Sequence, residues 1–153
     1  MEYQHHLGYI NELKGLWVEY WRKNKLDFVI CPGFGSQAFS HGKSEKISLA
    51  AAYTFIWNVL DMTVGAMPVT VVREDELKYE TAIDDMIAGE LRTVAEQSLG
   101  LPAGIQVVGL PYHEERVLGL MSSLEKKIQF YKKHPLPNIW FSDIPMFILF
   151  NNF

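Results

Sequence analysis

The sequence predicts an α/β fold that is incomplete as a domain, on three observations. Apolar residues switch between helical spacing and short β-rich runs, in the order helix, strand, helix, strand, helix, strand, helix. The strand runs read as buried on both faces, as in strands layered between helices. Three such runs make a thin sheet, and a thin sheet leaves edges and faces uncovered. The chain therefore reads as part of something larger.

Each element follows from its residues. From Tyr3 to about Lys23, Leu7, Ile10, Leu13, Leu16, Trp17, Tyr20 and Trp21 recur at steps of three and four, one apolar stripe on a helix. Two tryptophans on that stripe point to packing against a partner surface. The run from Leu26 to Cys31 is short and rich in β-formers, so a buried strand is expected, closed by Pro32. A loop with Gly33, Gly35 and Gly42 follows; its spacing matches neither the dinucleotide fingerprint nor the P-loop. Glu45 to Leu60 is apolar on most sides, with Ala50, Ala51 and Ala52 permitting close approach, and reads as an interior helix. The chain then turns at Gly65 and enters a strand from Ala66 to Val72, with Pro68 near its start. Glu74, Asp75 and Glu76 form an acidic turn into a polar helix from Leu77 to Glu96. Gly100 and Pro102 end that helix, and Ala103 to Val108 form the third strand. After Pro111 the last helix opens with Glu114 and Glu115 and ends with Lys126, Lys127, Lys132 and Lys133, the order its dipole favours. Val117, Met121, Leu124, Ile128 and Tyr131 supply its buried stripe.

Composition narrows the function classes. With 153 residues, 48% of them hydrophobic, the chain has material for a real core. A net charge of −4 leaves no basic footprint, so no nucleic-acid partner is expected. The single cysteine, Cys31, cannot form an internal disulfide; it reads as an inert core thiol and fits a reducing compartment. No apolar run approaches the roughly 20 residues of a membrane span. The opening residues, acidic at once and without an apolar core region, read as the middle of a helix rather than a signal peptide.

No catalytic constellation emerges residue by residue. A hydrolytic nucleophile needs a base within hydrogen-bond reach, and no Gly-x-Ser-x-Gly elbow is present. Ser36, with His41 nearby in sequence, is the best isolated nucleophile but has no third group. Ser122 and Ser123 fall mid-helix. Asp84 and Asp85 are adjacent and cannot face each other on a helix, so a solvated face is expected. The pairs His5-His6 and His113-Glu114 lack the spacing that sets metal ligands on one face, and read as surface or capping residues. No metal and no cofactor are expected.

Two segments nevertheless resemble a known family. Leu101, Pro102, Gly104, Gln106 and Gly109 carry a Leu-Pro-x-Gly-x-Gln-x-x-Gly pattern that resembles the closing strand and helix of the amidase-signature hydrolases. Upstream, Tyr53-Thr54, Asn58, Leu60-Asp61, Gly65 and Pro68-Val69-Thr70, followed by Glu74-Asp75, are similar to the fatty-acid amide hydrolase branch. The run from Lys25 to Gly35 also fits the family's strand and Pro-containing loop. The likeness keeps order and spacing from about Tyr3 to Tyr131. One departure is Met62-Thr63, where that branch usually has a Phe-Pro pair.

The resemblance implies the C-terminal part of an amidase-signature fold, a mixed sheet flanked by helices, over residues 1–131. Family catalysis uses a Lys, a Ser on a cis peptide and a nucleophilic Ser, all from chain preceding this part, and no Gly-Gly-Ser-Ser-like run occurs here. No residue of this chain is therefore expected to be catalytic. The implied role is sheet and substrate-channel wall for cleavage of fatty-acid amides through an acyl-enzyme, with Phe34, Tyr79 and Tyr112 as channel-lining aromatics. A lipid amide is the implied substrate of the full-length enzyme, in the cytoplasm or peripheral to an intracellular membrane. A different class stays open: an inactive binding or regulatory module pairing with a full-length relative or with itself. Residues 132–153 read as a divergent tail, apolar from Ile139 to Phe150, too short to span a membrane but able to touch one.

Overall fold

The computed structural model describes residues 2–135. Helix α1 runs from Glu2 to Lys23, then come strand β1 (Val29–Pro32), a 3-10 turn (Ser48–Ala51) continuing into helix α2 (Ala52–Val59), and strand β2 (Thr63–Val71). A second 3-10 turn (Glu74–Glu76) precedes helix α3 (Met86–Glu96), strand β3 (Pro102–Gly109), helix α4 (Glu114–Ile128) and the short helix α5 (Phe130–Lys133). The architecture is mixed α and β, as the sequence pattern predicts. The tail beyond residue 135 lies outside the described residues.

The three strands form an antiparallel sheet in the order β1-β3-β2. The motif-bearing strand is thus the central one, paired from Val29↔Val108 to Pro32↔Ile105 on one side. On the other side the ladder runs from Thr63↔Gly109 to Val71↔Pro102, with an irregularity between Pro68 and Thr70. A proline cannot donate to a ladder, and a bulge on an edge strand is where it is tolerated. Burial on both faces holds only for the second half of β3, Gln106 to Gly109; β1 and most of β2 alternate between half-buried and exposed. Both are edge strands, with no strand neighbour on their outer sides among the described residues.

The main core joins α1 and α2 to the sheet. Trp21, Trp57, Leu60, Met62 and Val108 are buried together, with Leu13, Trp17, Leu26 and Leu110 packed around them. Met62, one half of the pair that departs from the family pattern, is therefore a core residue. Its neighbour Thr63 opens β2 and sits 3.4 Å from both the Glu114 carboxylate and the His113 backbone N–H, tying the strand to the start of α4. On the other face α4 lies so close to the sheet that a Cβ on Gly109 would stand 2.8 Å from Val117 Cγ2. At Gly65 a Cβ would strike Met121 Sδ. Gly65 is accordingly a packing position inside β2, not the turn expected before it.

Three further expectations are corrected. The segment from Glu45 to Leu60 is not one interior helix: its regular part begins at Ser48, and Tyr53, Phe55, Ile56 and Val59 are exposed. The eight-residue α2 rests on the core through Trp57 and Leu60, and no described element covers its outer side. The polar helix starts at Met86 rather than Leu77, because Asp85 is extended and its carboxylate accepts from the Ala88 N–H at 2.7 Å, an N-cap. The last helix breaks at Gln129, which adopts a left-handed conformation (φ 54°). That break turns Phe130 into the core and leaves Tyr131 half exposed.

Candidate substrate-channel wall

A second core cluster shapes one of two concavities of similar size. Ile47, Leu91 and Val94 are buried together, and Phe34, Phe39 and Tyr79 pack against them. Above this cluster lies an open cleft of about 640 Å³. Its floor is the N-terminal end of β3 (Pro102 to Ile105) and the middle of β2 (Ala66 to Pro68); its wall is the loop from Gly33 to Phe39, with Tyr79 closing one side. Most lining residues are apolar, and Ser36, Gln37 and Tyr79 are those with polar side chains. Concave, mostly apolar surfaces with few polar groups are the usual form of a small-molecule site.

The loop holds its place through backbone and charge. The Gly33 N–H donates to the Gly104 carbonyl (3.4 Å) and the Gly35 N–H to the Ala50 carbonyl (2.8 Å). A Cβ on Gly35 would meet Ala50 at 3.0 Å, a tight approach that glycine makes without displacing its neighbour. Between these anchors Phe34 stacks obliquely on Phe39, with centroids 5.6 Å apart. Farther along, Lys43 and Lys46 both reach Glu90 on α3 at 2.7 Å, bracing the loop against the helix. Hydrogen bonds from these two ammonium groups lower the Glu90 carboxyl from 4.5 to about 2.

Beneath the cleft lies a residue that does not line it. Gln106 is 4% exposed, and its side-chain amide donates to the carbonyls of Pro32 (2.8 Å) and Tyr53 (3.1 Å), beside Cys31 Sγ. It ties β1, β3 and α2 at one point. The signal was present in sequence: a lone polar residue inside the apolar run Ile105 to Val108 has to find partners when buried. The cleft's other contributors, Phe39, Met67 and Ile105, carried no such signal, because apolar residues in strands and loops are ordinary core material.

The sequence-derived aromatics separate. Phe34 and Tyr79 meet in the cleft. Tyr112 stands at the other end of β3, 91% exposed with φ 61°, on a groove of about 660 Å³ formed with α1 and the turn before β2. Ser36 lines the cleft, but its hydroxyl donates to the Gln37 carbonyl (3.0 Å) rather than to an imidazole. Cys31 is half-buried at the edge of the main core. Asp85 caps α3 and Asp84 pairs with Arg92. His113 opens α4, with Nδ1 2.9 Å from the Pro111 carbonyl. Among the described residues no three His, Cys, Asp or Glu converge on a metal position, and no helix is long and apolar enough to cross a membrane.

Comparison with known proteins bears on the same segments. The family model described as Amidase matches residues 1–118. The chain belongs to the amidase family. It is similar to fatty acid amide hydrolase 1 of Caenorhabditis elegans, 32% identical over 121 residues that make up 77% of this chain and 20% of that protein. It is also similar to fatty-acid amide hydrolase 1 of Sus scrofa, 34% identical over 113 residues, 71% of this chain and 19% of that protein. The chain spans about a fifth of the length of these curated relatives. The amidase match includes the whole cleft and stops within α4.

Proposed function

We propose that this chain is the C-terminal part of an amidase-family serine hydrolase that cleaves fatty-acid amides, and that it supplies the wall of the acyl channel. One observation carries the reading. The motif strand β3 that marks the family also floors the apolar cleft, with Phe34 and Tyr79 over it. The relatives' names supply the substrate class. The wall is assigned to Phe34 and Tyr79. Tyr112, facing a separate groove, is assigned no contact with the acyl chain.

The chemistry belongs to residues outside this chain. In the proposed enzyme a serine oxygen, its proton taken by the Ser–Lys relay, attacks the amide carbonyl. The tetrahedral intermediate expels the amine, which leaves with a proton from the relay, and water then releases the fatty acid from the acyl-enzyme. What the present residues do is bind and orient: an apolar wall takes the chain, and the reacting carbonyl is thereby placed at the nucleophile.

The test is the native size and reactivity of the protein that carries the peptide Leu101 to Arg116. The expected result is a species several-fold heavier than 17.6 kDa that a fluorophosphonate labels and that hydrolyses a long-chain fatty-acid amide. An unlabelled native species of 17.6 kDa overturns the reading. Its co-purification with a longer amidase would establish the pairing module instead, using the outer edges of β1 and β2, which have no strand neighbour among the described residues.

A further inference from the structure

We propose that Gln106 is the positioning residue of the cleft: it acts through the Pro32 carbonyl to set where Phe34 stands, and so sets acyl-chain selectivity. This rests on the reading of the cleft as an acyl wall. A primary amide has two N–H donors. Both are used here, one on the last residue of β1 and one on α2. Pro32 is followed at once by Gly33 and Phe34, so the first clamp lies two residues from the cleft's aromatic wall. The segment is then held at three points: Pro32 by Gln106 at 2.8 Å, Gly33 by the long bond to Gly104 at 3.4 Å and Gly35 by Ala50 at 2.8 Å, and the Gln106 clamp is the one of the three made by a side chain.

The geometry also says which substitutes fail. Methionine keeps the volume but donates nothing, leaving two carbonyls without this donor. A glutamate keeps the shape and, when ionised, aims acceptors at acceptors. Burial raises its pKa, and protonation returns one O–H donor. The glutamate variant should therefore recover part of the clamp on acidification. Cys31 from β1 and Tyr53 from α2 are the titratable residues beside this position, and the unaltered protein at both pH values controls for them.

The experiment measures binding of a long-chain primary fatty-acid amide and of octanamide to the native protein. The unaltered protein should prefer the long chain. In Gln106→Met that preference should fall about tenfold, the loss expected if the displaced wall releases about two methylenes. In Gln106→Glu it should fall further at pH 7.5 and partly return at pH 5. A folded Gln106→Met with unchanged preference, or a pH-independent Gln106→Glu, overturns the assignment. Binding of neither amide to the unaltered protein overturns the acyl-wall reading itself, which is a distinct outcome. In the same sample the two Gln106 Nε2 protons should exchange slowly with solvent. Exchange as fast as a free side-chain amide removes the clamp without recourse to any variant.

Discussion

Gly104 offers the sharpest test of how the motif works. Its backbone is not in the left-handed region, so alanine could adopt its conformation, and the question is purely one of room. An added Cβ would lie 2.9 Å from the Met67 carbonyl oxygen and 3.5 Å from the carbon behind it. Both are backbone atoms of the paired strand β2, so no side chain can swing away. Overpacking of this kind costs about 1–3 kcal/mol. Stiffening the unfolded chain returns about 0.4–1 kcal/mol of that. Gly104→Ala should therefore destabilise by about 1–2 kcal/mol, and with a urea m-value of about 2 kcal/mol/M the midpoint should drop by about 0.5–1 M. Gly119→Ala is the internal control. Gly119 sits in α4 with nothing within 4 Å of its Cβ position, so alanine there should stabilise by about 0.8 kcal/mol. Equal midpoints for Gly104→Ala and the unaltered protein would refute the close-approach account of the motif glycine.

Other perturbations address the supports around the cleft. Asp85→Ala removes the side-chain acceptor at the start of α3 and should cost about 1 kcal/mol, read as a lowered thermal midpoint. The Glu90 brace predicts a pH dependence. Because the folded-state pKa is lowered from 4.5 to about 2, its contribution is fully present above pH 4.5 and is lost as pH falls through 2. Glu90→Gln, which mimics the protonated group, should lower stability near neutral pH and remove that part of the acid sensitivity, so that the two proteins converge at low pH; solvent screening at the more exposed Lys46 keeps the difference small. Gly65→Ala should be milder than Gly104→Ala, since what it meets first is the flexible end of Met121, and Met121→Ala should restore it in a double-mutant cycle.

Much of the fold was legible because periodicity reports on burial. Helix α1 and the three strands follow from it, although of the α1 stripe only Leu13, Trp17 and Trp21 pack on the main core while Leu7, Leu16 and Tyr20 are exposed. What periodicity cannot show is whether a neighbour exists. Apolar residues on every side of the segment around Phe55 read as an interior helix, yet the same composition suits a helix whose outer face has no described partner. Boundaries failed where one residue's local chemistry prevailed: the Asp85 cap for α3 and the left-handed Gln129 for the end of α4. The cleft was half legible. Phe34 and Tyr79 are far apart in sequence, and it is the shared packing on Ile47, Leu91 and Val94 that joins them. Tyr112 looked equivalent because position in a loop says nothing about which end of the sheet the loop occupies.

The motif residues also explain why family membership and activity are separate questions here. Gly104 admits β2, Gly109 admits α4, and Gln106 ties β1 and α2 to the central strand. Each is required by packing or by hydrogen bonding. None presents a nucleophile, a base or an oxyanion donor to the cleft. In this chain the pattern's residues are thus accounted for by packing and hydrogen bonding alone. What these positions specify is how β1, β2, α2 and α4 meet the central strand, so the family match over residues 1–118 speaks for that geometry and not for a reaction.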